Sequence, residues 1–259
     1  MICMAERTFP KVLFRPIELG ELLYYVDYFL NNTISRSKNW DDTIYKDYPV
    51  LAAELDGVTG VSDRKNIETA FFEEVLETDK GAMSHGAELF QKEWDALNDR
   101  VMAALEDIVE IRWPASDKSM LGLVTPLSIS PRTISKRTFL VSHKYSTYGV
   151  KTIAIHEILH FIYFEKWKEV FPGTRPGEFE APHLVWRLSE IVPNVILGDK
   201  RMQDVFRRDF KSHYVYHETD IGGRPLLSYI QDFYNSRKDF AGFLKDSWEF
   251  VKAHDSEIP

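Results

Sequence analysis

The chain has 259 residues, of which 44% are hydrophobic and 28% are charged, and its formal net charge is -8. This length and composition are typical of a soluble globular protein with one large domain or two small ones. The negative charge, without a visible basic stripe, argues against nucleic acid as the main partner.

The only cysteine is Cys3, which excludes an intrachain disulfide and a cysteine-ligated structural zinc site. The first seven residues lack the charged and apolar regions of a signal peptide. No apolar run reaches transmembrane length. We therefore expect no membrane partner and a cytoplasmic location.

Helical patterning dominates residues 17–110 of the chain. Apolar residues recur at helical spacing in three segments, at residues 17–30, 63–78 and 85–111. Glycines at positions 57, 60 and 81 separate these segments. We predict an N-terminal helical region over residues 1–115.

The composition changes at residues 120–145, which are rich in Leu, Val, Ile, Thr and Ser. Pro126 and Pro131 interrupt this stretch, and we predict short strands at residues 121–124 and 138–143. Strands among many helices indicate an α+β, helix-rich fold. We predict a catalytic region over residues 116–259, with the possibility of one continuous domain left open.

The most informative feature is the sequence H-E-x-x-H, formed by His156, Glu157 and His160. It lies in residues 152–164, which contain no Gly or Pro and are apolar on nearly every side, as in a buried helix. Side chains four residues apart share one helix face, so both imidazoles can bind one metal ion with Glu157 beside it. The alternative is a chance match or a core cluster satisfied by protein partners. Burying these groups without a partner costs several kcal/mol, which favours a metal site.

Beyond this segment, residues 172–177 indicate a loop, and Pro182 can open a second helix that includes Glu190. Pro193 should kink or end that helix. Residues 199–223 are polar and look irregular, with a turn at Gly222 and Gly223. One or two closing helices are expected over residues 226–252.

A catalytic zinc site needs a third protein ligand and one open position. Downstream of His160 the candidates are Glu178, Glu180, His183 and Glu190. We favour Glu190 because it lies within a helical pattern; the other three stay open.

The motif together with the segment around Glu190 resembles the gluzincin metallopeptidases, over roughly residues 138–200. This resemblance implies one catalytic Zn²⁺ held by His156, His160 and Glu190, with Glu157 as general base. It also implies that Asn194, one turn after Glu190, supports a ligand histidine. Residues 178–181 are also similar to the acidic segment of the antirepressor-cleaving zincins.

Gluzincins use a Tyr or His from further along the chain to stabilise the oxyanion. On the basis of this resemblance, we select His217 and Tyr214, within residues 213–217, as candidates for stabilising the oxyanion. Arg224 lies beyond them. A polar surface loop is the alternative interpretation of this segment.

These residues predict a zinc-dependent metallopeptidase that hydrolyses a peptide or protein substrate. A zinc hydrolase for a non-peptide amide uses the same chemistry and remains an alternative. A second alternative is a regulatory or binding protein that retains a zincin fold without turnover. Glu157 argues against the latter, because a purely structural metal site does not need a base.

Overall fold

The computed structural model of the chain describes residues 8–31, 40–206 and 214–259. The described residues divide into two compact units. The helical unit takes in Met1–Lys11, Leu97–Ser119 and Ile155–Pro259, and the sheet unit takes in Val12–Ala96 and Met120–Ala154. Each unit contains residues from both sides of position 115, the predicted end of the N-terminal helical region. The catalytic role of residues 116–259 stays a prediction. Cys3 lies outside the described residues.

A four-stranded sheet has the order β1-β2-β4-β3. Its strands are β1 (Lys11–Pro16), β2 (Ser119–Thr125), β3 (Arg132–Thr133) and β4 (Thr138–Ser142). Strand β4 pairs with β2 in parallel and with β3 antiparallel. The two predicted strands are therefore confirmed as β2 and β4, whereas β1 was not predicted. A small mixed sheet within a helix-rich chain agrees with the predicted α+β class.

The sheet unit contains four helices from the first part of the chain. They are α1 (Leu19–Asn31), α2 (Trp40–Asp47), α3 (Pro49–Leu55) and α4 (Val61–Asp95). Of these, α1 and α4 fall in segments predicted to be helical. Gly57 has a positive φ of 70° after α3, and Gly60 is the N-cap of α4. Gly81, in contrast, does not end a helix, because it lies inside the 35-residue helix α4. Buried side chains on both sides of Gly81, at Phe72 and Met83, support this continuity.

The core of the sheet unit is built around Phe14 of β1. Its ring centroid lies 6.1 Å from that of Phe90, 6.3 Å from that of Trp94 and 6.1 Å from that of Phe139, in edge-to-face contacts. Gly122 of β2 lies under this cluster, and a Cβ there would approach the Phe14 ring to 2.5 Å. The sequence requires glycine at this position because the aromatic ring occupies the space of a side chain.

We expect Gly122→Ala to lower the free energy of unfolding by about 1–3 kcal/mol, because the added methyl group overpacks the aromatic cluster. The matched control is Gly81→Ala, which places the same methyl group in open space within α4. That control should raise stability by about 0.5–1 kcal/mol, since alanine is the better helix former. Urea unfolding of both variants measures the two effects. Equal stabilities for the two variants would contradict this description of the core.

The helical unit contains α5 (Asn98–Val109) and most of α6 (Thr147–Val170), whose first residues belong to the sheet unit. It continues with α7 (Leu184–Ile191), α8 (Pro193–Ile196), α9 (Lys200–Val205) and α10 (Tyr214–Glu218). The strands β5 (Asp220–Ile221) and β6 (Arg224–Pro225) form a hairpin, followed by α11 (Leu226–Ser236) and α12 (Phe240–Ala253). No helix among the described residues is long and apolar enough to cross a membrane.

Two details of the helical unit bear on the sequence predictions. Residues 199–223 are not irregular where they are described, because α9, α10 and a hairpin with positive φ at Gly222 and Gly223 lie there. Short polar helices of this kind lack the apolar periodicity that a sequence pattern detects. Residues 207–213 fall outside the described part of the chain.

Pro193 ends the helix that carries Glu190, as predicted. Proline has no backbone N–H to continue the helical ladder, so α7 stops at Ile191 and Pro193 becomes the first residue of α8. The start of α7 differs from the prediction, because His183 rather than Pro182 directly precedes its first turn.

Candidate metal centre

The motif residues lie on the buried part of α6, within the helical unit. His156 is 9% exposed, Glu157 is 6% exposed and His160 is fully buried. Their four-residue spacing brings the two imidazoles to the same helix face, and the two Nε2 atoms are 2.9 Å apart. Two ring nitrogens this close share either one proton or one cation.

Glu190 of α7 faces the two imidazoles. Its Oε2 lies 3.3 Å from Nε2 of His156 and 3.7 Å from Nε2 of His160. The carboxylate is only 2% exposed, so its negative charge is held away from water and beside the two rings. The three side chains therefore converge on one point from two different helices.

The shape of this donor set fits one tetrahedral metal ion. A zinc ion with bonds of about 2.0–2.2 Å to nitrogen and oxygen separates its ligand atoms by about 3.4 Å. The separations among the two Nε2 atoms and Oε2 of Glu190, at 2.9, 3.3 and 3.7 Å, lie on both sides of that value. Two imidazoles and a carboxylate are a common zinc donor set, although Co, Mn and Ni accept it as well.

Glu157 lies beside the same point. A carboxylate oxygen of Glu157 and the ligand nitrogens of His156 and His160 lie within 4.8 Å of one another, so this buried group could also bind a metal ion. Two carboxylates thus flank the two imidazoles. Glu190 reaches the two ring nitrogens from a second helix and can complete the donor set, and Glu157 can then act on a water molecule in the open position.

The other third-ligand candidates have different surroundings. Glu178 accepts a hydrogen bond from Nε of Arg175 at 3.0 Å, and that bond is the main reason why the pKa of its carboxyl lies below the usual range. Glu180 follows a 3-10 turn at Pro176–Phe179 and is partly exposed, and His183 is exposed. The group of ligand atoms within 4.8 Å of one another consists of His156, Glu157 and His160, so it contains neither these three residues nor Glu190, and Glu190 is distinguished by its distances to the two imidazoles.

Asn194 connects the Glu190 segment to α10. Its Oδ1 lies 2.9 Å from Nε2 of His217, and its Nδ2 donates to the backbone oxygen of Ile191 at 3.1 Å and to that of Glu190 at 3.4 Å. The hydrogen bond of Oδ1 joins Asn194 to His217, one of the two residues selected as an oxyanion stabiliser. Support of a ligand histidine by Asn194, which the resemblance implied, stays a prediction.

Helix α10 begins at Tyr214, whose side chain lies outside the described part of the structure. Tyr216, which the sequence selection passed over, is 4% exposed. Burial raises the pKa of its phenol, the negative charge of Glu190 raises it further, and the charge of Arg187 opposes the rise. Tyr216 therefore stays protonated at neutral pH and can donate a hydrogen bond. The only sequence signal for it was its place within residues 213–217.

Arg187 is a further charged group on the helix of Glu190. Its Nη1 donates to the backbone oxygen of Ile258 at 2.7 Å and to that of Asp255 at 3.2 Å, and its Nη2 pairs with the Asp255 carboxylate. Residues 255–258 therefore anchor α7 on the side of Arg187. Sequence patterns gave no signal for this contact, since the two partners lie far apart along the chain.

Comparisons with known proteins do not extend these observations. No family model matches the chain, and neither a curated protein nor a solved structure matches it. The metal-centre interpretation therefore depends on a buried His-Glu-His cluster with H-E-x-x-H spacing and on the position of Glu190 next to it.

Proposed function

We propose that this protein is a zinc-dependent metallopeptidase with a gluzincin-like site. The observation that supports it best is the approach of the buried Glu190 carboxylate to within 3.3 and 3.7 Å of the two motif imidazoles. In this proposal His156, His160 and Glu190 hold one zinc ion. The fourth position stays open, as a catalytic site requires.

When bound there, zinc supplies a Lewis acid and lowers the pKa of a water molecule. Glu157 then has the role of general base: its carboxylate accepts a proton from the attacking water and returns it to the nitrogen of the leaving amine. Its burial favours this role, because a carboxylate with little water around it is a stronger proton acceptor. The same burial excludes bulk water from the reacting groups.

The carbonyl oxygen of the substrate gains negative charge when water attacks, and a positioned hydrogen-bond donor stabilises it. The sequence predictions for this role were His217 and Tyr214. We add Tyr216, because its phenol is buried and protonated and because the negative charge of Glu190 raises its pKa. Helix α10 thus supplies the donor in this proposal, and peptides or proteins are the substrate class.

The test is hydrolysis of internally quenched fluorogenic peptides by protein that has been stripped of metal and then supplied with zinc. We expect no cleavage by the stripped protein and recovery of cleavage at one zinc per chain. Zinc binding without cleavage of any peptide would contradict the proposal and favour the regulatory alternative. Cleavage restricted to simple N-acyl amides would redirect the proposal to a non-peptide hydrolase.

A further inference from the structure

Helix α7 brings Glu190 to the two imidazoles of α6, although α7 is only eight residues long. An isolated helix of this length is unstable in water, so its position depends on contacts with the rest of the chain. Among the described residues, the N-cap residue His183 makes no side-chain hydrogen bond to the first turn, and Pro193 lies just beyond the last. The position of the Glu190 carboxylate therefore depends on the contacts that anchor α7.

Arg187 makes such a contact with the turn at residues 255–258. Its Nη1 donates to the backbone oxygens of Ile258, at 2.7 Å, and Asp255, at 3.2 Å, and its Nη2 pairs with the Asp255 carboxylate. The donors of a guanidinium are fixed in one plane, so three acceptors determine both its position and its orientation. The Arg187 side chain is 18% exposed and Ile258 is 4% exposed, so this contact is more buried than an ordinary surface ion pair.

The anchored residue lies one helical turn from the proposed ligand. Arg187 and Glu190 are three residues apart, and side chains at this spacing are neighbours on a helix surface, with Cβ atoms about 5–6 Å apart. Burial raises the pKa of Tyr216 most, the charge of Glu190 raises it further, and the charge of Arg187 opposes the rise, so both charges act on one phenol. A shift of α7 at Arg187 would therefore move Glu190 as well, whereas metal–ligand distances vary by only about 0.2 Å.

We infer that Arg187 is a positioning residue for the metal centre. By anchoring α7 to the turn at residues 255–258, it holds the Glu190 carboxylate where that group can bind the same zinc ion as the two motif imidazoles. This inference rests on the proposed zinc site. It assigns to a turn far along the chain from the H-E-x-x-H motif an influence on zinc affinity. Because coupling between two sites is reciprocal, bound zinc must also stabilise the contact between Arg187 and this turn.

The first test uses metal-free protein. Hydrogen–deuterium exchange followed by mass spectrometry measures how readily α7 opens. We expect Arg187→Ala to speed exchange of the amides in residues 184–192 by about 10-fold, the equivalent of one net hydrogen bond. An unchanged exchange rate in these residues would show that Arg187 does not anchor α7 and would overturn the inference.

The matched control is Arg201→Ala. Arg201 anchors the short helix α9 in a similar way, since its Nη1 donates to the backbone oxygen of Asp107 at 2.6 Å. Both arginines belong to the helical unit, so a general loss of stability in that unit would affect the two variants alike. Exchange in residues 184–192 should stay within about twofold of wild type in Arg201→Ala, because this substitution leaves the contact of Arg187 in place.

The second test measures the Kd for zinc by competition with a chelating indicator. We expect Arg187→Ala to raise this Kd by about 10-fold, at the lower end of the range for residues that orient metal ligands. In Arg201→Ala the Kd should stay within about twofold of wild type, because no contact of Arg201 involves α7 or the ligands. Equal Kd values for the two variants would overturn the inference.

The third test uses the reciprocity of the coupling, which a purely structural role of Arg187 would not produce. Zinc should slow amide exchange in residues 255–258 of the wild type by a factor similar to the change in Kd, and should not slow it in Arg187→Ala. Exchange in this turn that does not respond to zinc, in a wild type that binds one zinc per chain, would overturn the inference alone. If the wild type binds no zinc, the proposed function fails and the inference fails with it.

Discussion

Glu157→Gln is expected to lower kcat by about 10²- to 10⁴-fold while the protein still binds one zinc per chain. Glutamine keeps the size and hydrogen-bonding capacity of the side chain but cannot accept a proton at neutral pH. Because Glu190 is the proposed third ligand, with Oε2 at 3.3 and 3.7 Å from the imidazole nitrogens, loss of the Glu157 charge should not remove the metal. Peptide hydrolysis and zinc content, measured on the same preparation, give both results.

The matched control for this prediction is Glu165→Gln, the same substitution two turns further along α6. Glu165 is partly exposed and pairs with the exposed Lys168 at 3.0 Å, and pairs near the surface contribute little to stability. Its kcat should therefore stay within about twofold of wild type. Loss of zinc from Glu157→Gln would identify Glu157 as a ligand and contradict the assigned roles. Hydrolysis at more than about a tenth of the wild-type rate would contradict its role as base.

The second large effect expected is stabilisation of the fold by zinc. A ligand that binds only the folded protein adds about 2.7 kcal/mol of stability at a concentration 100 times its Kd. For a chain of this size that corresponds to a rise in Tm of about 5–10 °C. The metal would replace the close contact of the two Nε2 atoms with bonds to a shared cation, in a region where the donor side chains are buried.

His160→Ala should lose this rise in Tm, because it removes one of the three converging donors. His160 is fully buried, so the variant is also expected to be less stable without metal, and the zinc-dependent change in Tm is the quantity to compare. The matched control is His183→Ala, which removes an exposed histidine and should keep the full response. Thermal unfolding followed by circular dichroism, with and without zinc, measures the change. An undiminished zinc response in His160→Ala would exclude this site as the place where zinc binds.

The parts of the fold with strong local signals could be predicted from the sequence. Helix α6 followed from an apolar segment without Gly or Pro, and the end of α7 followed from the missing N–H of Pro193. Strand β1 was missed because its exposed face carries an apolar residue. Leu13 is 46% exposed between the buried Val12 and Phe14, and it hides the alternation that predicts a strand.

Residue spacing alone predicts the part of the candidate site that lies on one helix. His156, Glu157 and His160 lie on α6, and their spacing alone brings them together. Glu190 was one of several candidates for the third ligand. Its carboxylate lies next to the two imidazoles because of the way α7 packs, which the sequence pattern does not show. The bond between Asn194 and His217 depends on where a later segment of the chain returns. Local periodicity carries no information on such a return.

The central claim is that His156, His160 and Glu190 together hold one zinc ion. Elemental analysis of purified wild-type protein, Glu190→Ala and Glu180→Ala, each supplied with zinc and dialysed, tests it most directly. We expect one zinc per chain in the wild type and in Glu180→Ala, and none in Glu190→Ala. Stoichiometric zinc in Glu190→Ala, or a wild-type protein that retains no zinc, would contradict the claim.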